Sequence, residues 1–176
     1  MKAILSIDLQ KQYFEPGSPL EIPDGKAVLA QVTRLLAKAR EKGQLIIHIR
    51  HISKNPEDSK FRAGSPQVEF MEEVKPLKGE PVITKTRPGA FYLTELDDIL
   101  KRKSIDEVVI CGLMSFMCCD TTAREAHARG YQVYFLKDAT AALKIGDIPA
   151  ETVHQVTCAI QGFLFSKVLT AGELVL

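Results

Sequence analysis

Short runs rich in β-branched and aliphatic residues alternate along the chain with longer stretches whose apolar positions recur every three or four residues. That alternation is the pattern of βαβ units and a parallel sheet. The strand-like runs are residues 3–8, 44–51, 81–85, 107–111, 132–136 and 167–170. Most are apolar without strict alternation, as strands covered by helices on both faces are. An edge position suits the last best. Between them, Val28, Val32, Leu35, Leu36 and Ala39 keep the spacing of a helix packed on a sheet, with Asp24 placed as N-cap and Gly43 as stop. A second helix carries Leu93, Leu96 and Leu100 on one face. A third spans residues 118–129 and is ended by Gly130, and a fourth carries Val153, Val156, Ile160 and Phe163. Together these elements predict an α/β fold: a three-layer αβα sandwich around a six-stranded, mostly parallel, Rossmann-like sheet, formed by the single domain 1–176. Right-handed crossovers then place the C-terminal ends of the strands, and any ligand site, along one edge of the sheet.

Residues 53–79 break the rhythm. They are rich in Pro, Gly and charge, and their length fits a functional loop or lid better than a plain connector. The whole chain of 176 residues suits one domain with a sizeable core. Hydrophobic residues make up 45% and charged residues 26%, which sets aside disordered and fibrous classes. Lys+Arg 23 against Asp+Glu 22 leaves a formal charge of +1, so there is no basic field to hold nucleic acid or an anionic membrane. The first apolar stretch runs into Asp8, Gln10 and Lys11, unlike a signal peptide, and no apolar run is long enough to span a bilayer. Cys111, Cys118, Cys119 and Cys158 form neither the CxxC pairs of zinc sites nor a dense disulfide framework, so a reducing, cytoplasmic setting is expected.

Three residue types suited to acyl transfer fall at strand ends. Asp8 closes the first strand, where a partly desolvated carboxylate is suited to proton transfer; taken alone it is equally a turn-forming Asp. Lys85 follows the third strand and aims at the same edge, although most lysines in such places are solvated. Cys118 follows the fourth strand and a short turn after Gly112, at the start of a helix. There the helix dipole and free amides favour a thiolate, Lys85 is expected to lower the pKa further, and the same amides can hold an oxyanion. Cys111 and Cys158 fit buried structural roles. A nucleophile, a base and a cation gathered at strand ends are what acyl transfer requires.

Longer motifs make the pattern specific. Ile7-Asp8-Leu9-Gln10 with Phe14 resembles the opening Asp motif of the isochorismatase-like cysteine hydrolases, a family that includes nicotinamidases and N-carbamoylsarcosine amidases. Lys85-Thr86-Arg87-Pro88-Gly89-Ala90-Phe91 resembles its Lys motif. Gly112-Leu113-Met114-Ser115-Phe116-Met117-Cys118-Cys119-Asp120-Thr121-Thr122-Ala123-Arg124, with Arg129-Gly130-Tyr131, is similar to its nucleophile elbow and helix. Asp138-Ala139-Thr140-Ala141 resembles the usual sequel to the fifth strand. The resemblance covers nearly the whole chain and implies the isochorismatase-like hydrolase fold. It also implies Cys118 as nucleophile, Asp8 as the base that takes its proton, and Lys85 as the cation that orients both. A cis peptide between Leu113 and Met114 and an oxyanion hole from the amides of Met114 and Cys118 are implied in the same way. The family register places the nucleophile at Cys118, and Cys119 falls where an apolar residue is usual, so it is read as packing.

Nicotinamidases of this family carry an Asp and His ligands for a metal just after the second strand. Here His48 and His51 stand three apart, which on a strand points them to opposite faces, and Arg50 occupies the place of the Asp. No metal and no other cofactor is therefore expected, and nicotinamide is set aside as a substrate. Phe116 stands where many relatives have a polar residue and implies a more apolar pocket wall. His51, Phe14 and Phe91 are the other candidate substrate-contacting residues, each equally accounted for by packing. The expected activity is hydrolysis of a C–N bond in a small amide or ureido substrate through a thioester. Vinyl-ether hydrolysis of isochorismate, whose enzymes generally lack the cysteine, and a noncatalytic oligomeric binding protein are the alternatives. Only the resemblance supports a homo-oligomer, a dimer or tetramer; nucleic-acid and membrane partners are not expected.

Overall fold

The computed structural model describes residues 1–176. Six strands, β1 (Lys2–Ile7), β2 (Leu45–His51), β3 (Val82–Lys85), β4 (Glu107–Leu113), β5 (Gln132–Ala141) and β6 (Lys167–Leu169), form one sheet in the order β3-β2-β1-β4-β5-β6. Every neighbouring pair is parallel, so each connection returns the chain to the same end of the sheet. Helices α1 (Gly25–Glu41), α2 (Leu96–Arg102), α3 (Asp120–Ala128) and α4 (Ala150–Ile160) lie in four of these crossovers. The crossover from β2 to β3 has only two short 3-10 turns, Pro66–Val68 and Glu72–Val74. No helix is long and apolar enough to cross a membrane.

Side chains of the central strands alternate between two cores, as a two-residue period requires. Ile4 packs with Val28, Val32, Leu35 and Leu36 of α1 on one face. Ala3, Leu5 and Ile7 pack with Leu96, Leu100, Ala123 and Ala126 of α2 and α3 on the other. Burying a Leu or Ile side chain contributes about 1.5–3 kcal/mol, so these two clusters supply most of the driving force. The chain builds outward from β1 through β2 to β3 and then returns to β4 on the other flank. That reversal leaves a crevice beyond the C-terminal ends of β1 and β4, the place where such sheets bind ligands.

Gly112 lets β4 run close beside β1 at this point. Its φ is +116°, and a Cβ there would sit 1.9 Å from the Ile7 carbonyl oxygen, so any other residue would push the two strands apart one residue before Asp8.

Several elements depart from the sequence-based expectation. β4 and β5 run further than 111 and 136, and Asp138 to Ala141 belong to β5 rather than following it. Leu93 is not on α2: it has φ +52° and is 79% exposed, and the buried face is Leu96, Ile99 and Leu100. Asp24 makes no side-chain cap, although its carbonyl accepts from the Val28 amide. On α4 the buried stripe is Val153, Thr157 and, one turn on, Gln161, while Val156, Ile160 and Phe163 face outward. The inward polar groups are satisfied, because Thr157 Oγ1 donates to the Val153 carbonyl and Gln161 Nε2 donates to Asp120 Oδ1 at 2.7 Å. Residues 53–79 add Phe61, Val68, Phe70 and Val74 to the buried residues.

Candidate active site

Asp8 follows β1 directly, with φ +51°, a left-handed conformation that Asp tolerates better than most residues. Its amide donates to the Ile49 carbonyl at 2.8 Å, which prolongs the β1–β2 pairing by one bond and fixes where the carboxylate turns. Lys85 ends β3, two strand spacings or about 10 Å from β1, and its long stem crosses the end of β2 to reach Asp8. The segment that carries Cys118 is a π-helical turn, Ser115–Cys119, running into α3. Cys118 therefore sits in that turn rather than at the first residue of an α-helix, a wider coil often found at functional positions.

These elements bring Asp8, Lys85 and Cys118 together. Lys85 Nζ donates to Asp8 Oδ2 at 2.7 Å and to Cys118 Sγ at 3.2 Å, and lies 3.3 Å from His51 Nδ1. The Asp8 and Lys85 side chains are wholly buried. Asp8 Oδ1 has no hydrogen-bond partner, which leaves one carboxylate oxygen free to accept. The Leu113–Met114 peptide is cis. The Met114 N–H donates to no acceptor in the protein, whereas its carbonyl accepts from the amides of Met117 and Cys119.

Burial works against charge at Lys85 and at Cys118, and the outcomes differ. For Lys85, burial favours the neutral amine, but the charge and hydrogen bond of Asp8 outweigh it and hold the ammonium above its ordinary value. For Cys118, burial and then the charge of Asp8 push the thiol up, and Lys85 opposes them without prevailing. The expected lowering of the thiol pKa is thus corrected. The ammonium and carboxylate cancel, so a thiolate would add an uncompensated charge to a buried site. At His51, burial and then Lys85 keep the ring neutral, which makes Nδ1 an acceptor for Lys85.

The remaining candidates fall in different places. Phe116 is half-buried on the turn that carries Cys118. Phe14 packs against Gly25 and lines surface grooves with Met71. Phe91 is buried beside Tyr131, with Arg129 4.6 Å above its ring, at the end of α3 opposite Cys118. His48 does not converge with His51: its Nε2 lies 2.8 Å from Glu80 Oε2, in a cluster where Arg40, the Leu77 amide and His48 overcome burial to hold the Glu80 carboxyl at about 2. No group of three or more His, Cys, Asp or Glu side chains converges as a metal site.

Sequence reasoning missed the polar and aromatic frame around the trio. Gln10 clamps the end of β2, accepting from the His51 amide at 2.8 Å and donating to the carbonyls of His51 and Val68 at 2.9 Å each. Gln12 Oε1 accepts from the Phe61 amide, and the Phe61 ring meets both Tyr13 and His51. The only signal was a pair of Gln residues just after Asp8, which no periodicity distinguishes from solvated side chains.

A six-stranded parallel sheet with a buried Cys, Asp and Lys gathered at its switch point defines the class of this protein, an open α/β fold with a polar cluster at its strand ends. The isochorismatase domain model matches residues 2–157, and the chain belongs to the isochorismatase family of hydrolases. It is 34% identical to the isochorismatase family protein YddQ of Bacillus subtilis over 172 residues, covering 96% of this chain and 95% of that one. It is 32% identical to maleamate amidohydrolase of Pseudomonas putida over 149 residues, 77% of this chain and 70% of the relative. A cysteine hydrolase structure from Pseudomonas syringae pv. phaseolicola superposes with a TM-score of 0.89 at 25% identity, over 98% of this chain and 89% of that chain.

Proposed function

We propose that this hydrolase cleaves the C–N bond of a small amide or ureido substrate through a thioester on Cys118. The observation that carries this reading is a single buried ammonium touching both a carboxylate and a thiol, with the second carboxylate oxygen free. The names of two relatives, maleamate amidohydrolase and streptothricin hydrolase, agree with it.

In this scheme Cys118 Sγ attacks the substrate carbonyl carbon as its proton passes to Asp8 Oδ1. A thiol held neutral at rest becomes nucleophilic only as the proton leaves, so no lone thiolate has to be stabilised in the apolar pocket. The developing oxyanion is received by the N–H groups of Met114 and Cys118. Collapse breaks the C–N bond, and Asp8 returns the proton to the departing nitrogen. Water then attacks the thioester, Asp8 takes the water proton, the acid leaves, and Cys118 regains its hydrogen. Lys85 remains an ammonium throughout, its three hydrogens directed to Asp8, Cys118 and neutral His51, and so holds acid and nucleophile in one geometry.

The reading is tested by ammonia release from a panel of small primary amides and ureido acids, with wild type and Cys118→Ala side by side. Release by the wild type alone supports it. Equal release by both proteins would remove Cys118 from the chemistry.

A further inference from the structure

In this conformation the trio is sealed. Asp8, Lys85 and Cys118 are 0%, 1% and 5% exposed. A hydrolase of a diffusing substrate must open, so some side chain has to leave. Resting on the cysteine-hydrolase reading above, we propose that Phe61 is the gate: its ring, seated between Tyr13 and His51, closes the route to Cys118, and the space it vacates sets the size of the acyl group admitted.

Phe61 lies in the one crossover without a regular helix, yet it is only 7% exposed. Its ring meets Tyr13 edge-on with centroids 5.2 Å apart and His51 edge-on at 5.1 Å. Both partners border the trio. His51 Nδ1 is beside Lys85 Nζ, and Tyr13 is buried on the short turn Lys11–Tyr13 that follows Asp8, its phenol pushed up by burial and by the charge of Asp8. The Phe61 ring therefore spans two walls of the pocket. Neither Phe14, in its surface groove, nor Phe91, at the far end of α3, does so.

The backbone beneath the ring suits a part that moves. Phe61 has φ +53°, a left-handed conformation that bulky side chains adopt only where surroundings enforce it. What enforces it is modest: the Phe61 amide donates to Gln12 Oε1 at 3.1 Å, and its carbonyl accepts from the Ser53 amide at 2.8 Å. Lys54 to Glu57 on one side and Arg62 to Gly64 on the other are exposed, so a swing of this segment disturbs no core residue besides Phe61. Swinging out relieves the backbone and frees the seat, and a substrate filling that seat replaces the two ring contacts. Loop closures of this kind commonly both exclude water and select substrate.

The test is site-resolved alkylation of Cys118 in the intact protein at one alkaline pH, with iodoacetamide as the small probe and N-phenylmaleimide as the bulky one. Phe61→Ala is expected to speed N-phenylmaleimide labelling of Cys118 roughly tenfold, equivalent to about 1.4 kcal/mol of gate stability. The gain with iodoacetamide is expected to be smaller. Phe61→Leu should fall between, and buried Cys111 and Cys119 should stay unlabelled in all three proteins. No gain at Cys118 in either variant overturns the gate. Equal gains at Cys111 and Cys119 overturn it as well, since they mark general loosening. The hydrolase reading fails separately: faster Cys118 labelling in a protein that hydrolyses no amide keeps the gate and removes the cysteine-hydrolase chemistry.

Discussion

Replacing Lys85 by Met tests the electrostatic heart of the site without opening a large void, because the Met stem fills most of the space the Lys stem occupied. The ammonium it removes lies 2.7 Å from Asp8 Oδ2, with both side chains wholly buried. At an effective dielectric constant near 20 that separation corresponds to about 6 kcal/mol of attraction. Part is returned because the ammonium no longer has to be desolvated, which leaves a loss of about 3–5 kcal/mol, the usual result of stripping one partner from a buried pair. Urea denaturation at neutral pH measures it. The sign of the pH dependence follows from the stranded carboxylate. In the variant Asp8 must stay charged in an apolar surround or bind a proton, so the deficit is largest at neutral pH and shrinks as pH falls to about 4. Adding Asp8→Asn removes the stranded charge and, since Asn accepts a left-handed backbone, should recover most of the loss. A Lys85→Met protein within about 1 kcal/mol of wild type, or a deficit that is the same at both pH values, would refute this account of the pair.

Other consequences are equally direct. Gly112→Ala should cost more than about 4 kcal/mol or give no soluble protein, because its Cβ would overlap the Ile7 carbonyl oxygen; a soluble variant with a near-native melting curve would contradict the close approach of β4 to β1. Cys118 is held as a thiol by burial and by Asp8, so its iodoacetamide alkylation should rise only through the alkaline range, with an apparent pKa above the free-cysteine value of about 8.5. A rate already at its plateau in neutral solution would show a standing thiolate. Phe163→Ser should change stability by less than about 0.5 kcal/mol, since Phe163 is 90% exposed; a loss of several times that would show the residue buried in the working protein.

The parts of this molecule legible in the sequence are those governed by local pattern. Apolar runs marked β1, β2 and β3 to within a residue or two, because strands covered on both faces have little else to be. The trio was legible because each member ends a strand or follows one closely, and the topology brings strand ends to one edge. What periodicity could not reveal was the buried face of α4 beyond Val153. Thr157 and Gln161 face inward with their polar groups satisfied, Thr157 by the Val153 carbonyl one turn back and Gln161 by Asp120 far away in sequence, while Val156, Ile160 and Phe163 turn out. The same limit hid Gln10, Gln12 and Phe61, whose burial depends on contacts between the segment after β1 and the crossover after β2. The state of the Cys118 thiol was misjudged for a different reason. A helix start and a lysine are visible in sequence, but the depth of burial that outweighs both is a property of the folded pocket alone.

The central claim is that Cys118 carries the acyl group. It is tested most directly by acid-quenching the enzyme during turnover of an amide it hydrolyses and measuring the mass of the Cys118 peptide. The account predicts a gain equal to the acyl fragment on Cys118, absent from Cys118→Ala, which should release no ammonia. Full turnover by Cys118→Ala, or an acyl group found on any other residue, would contradict it.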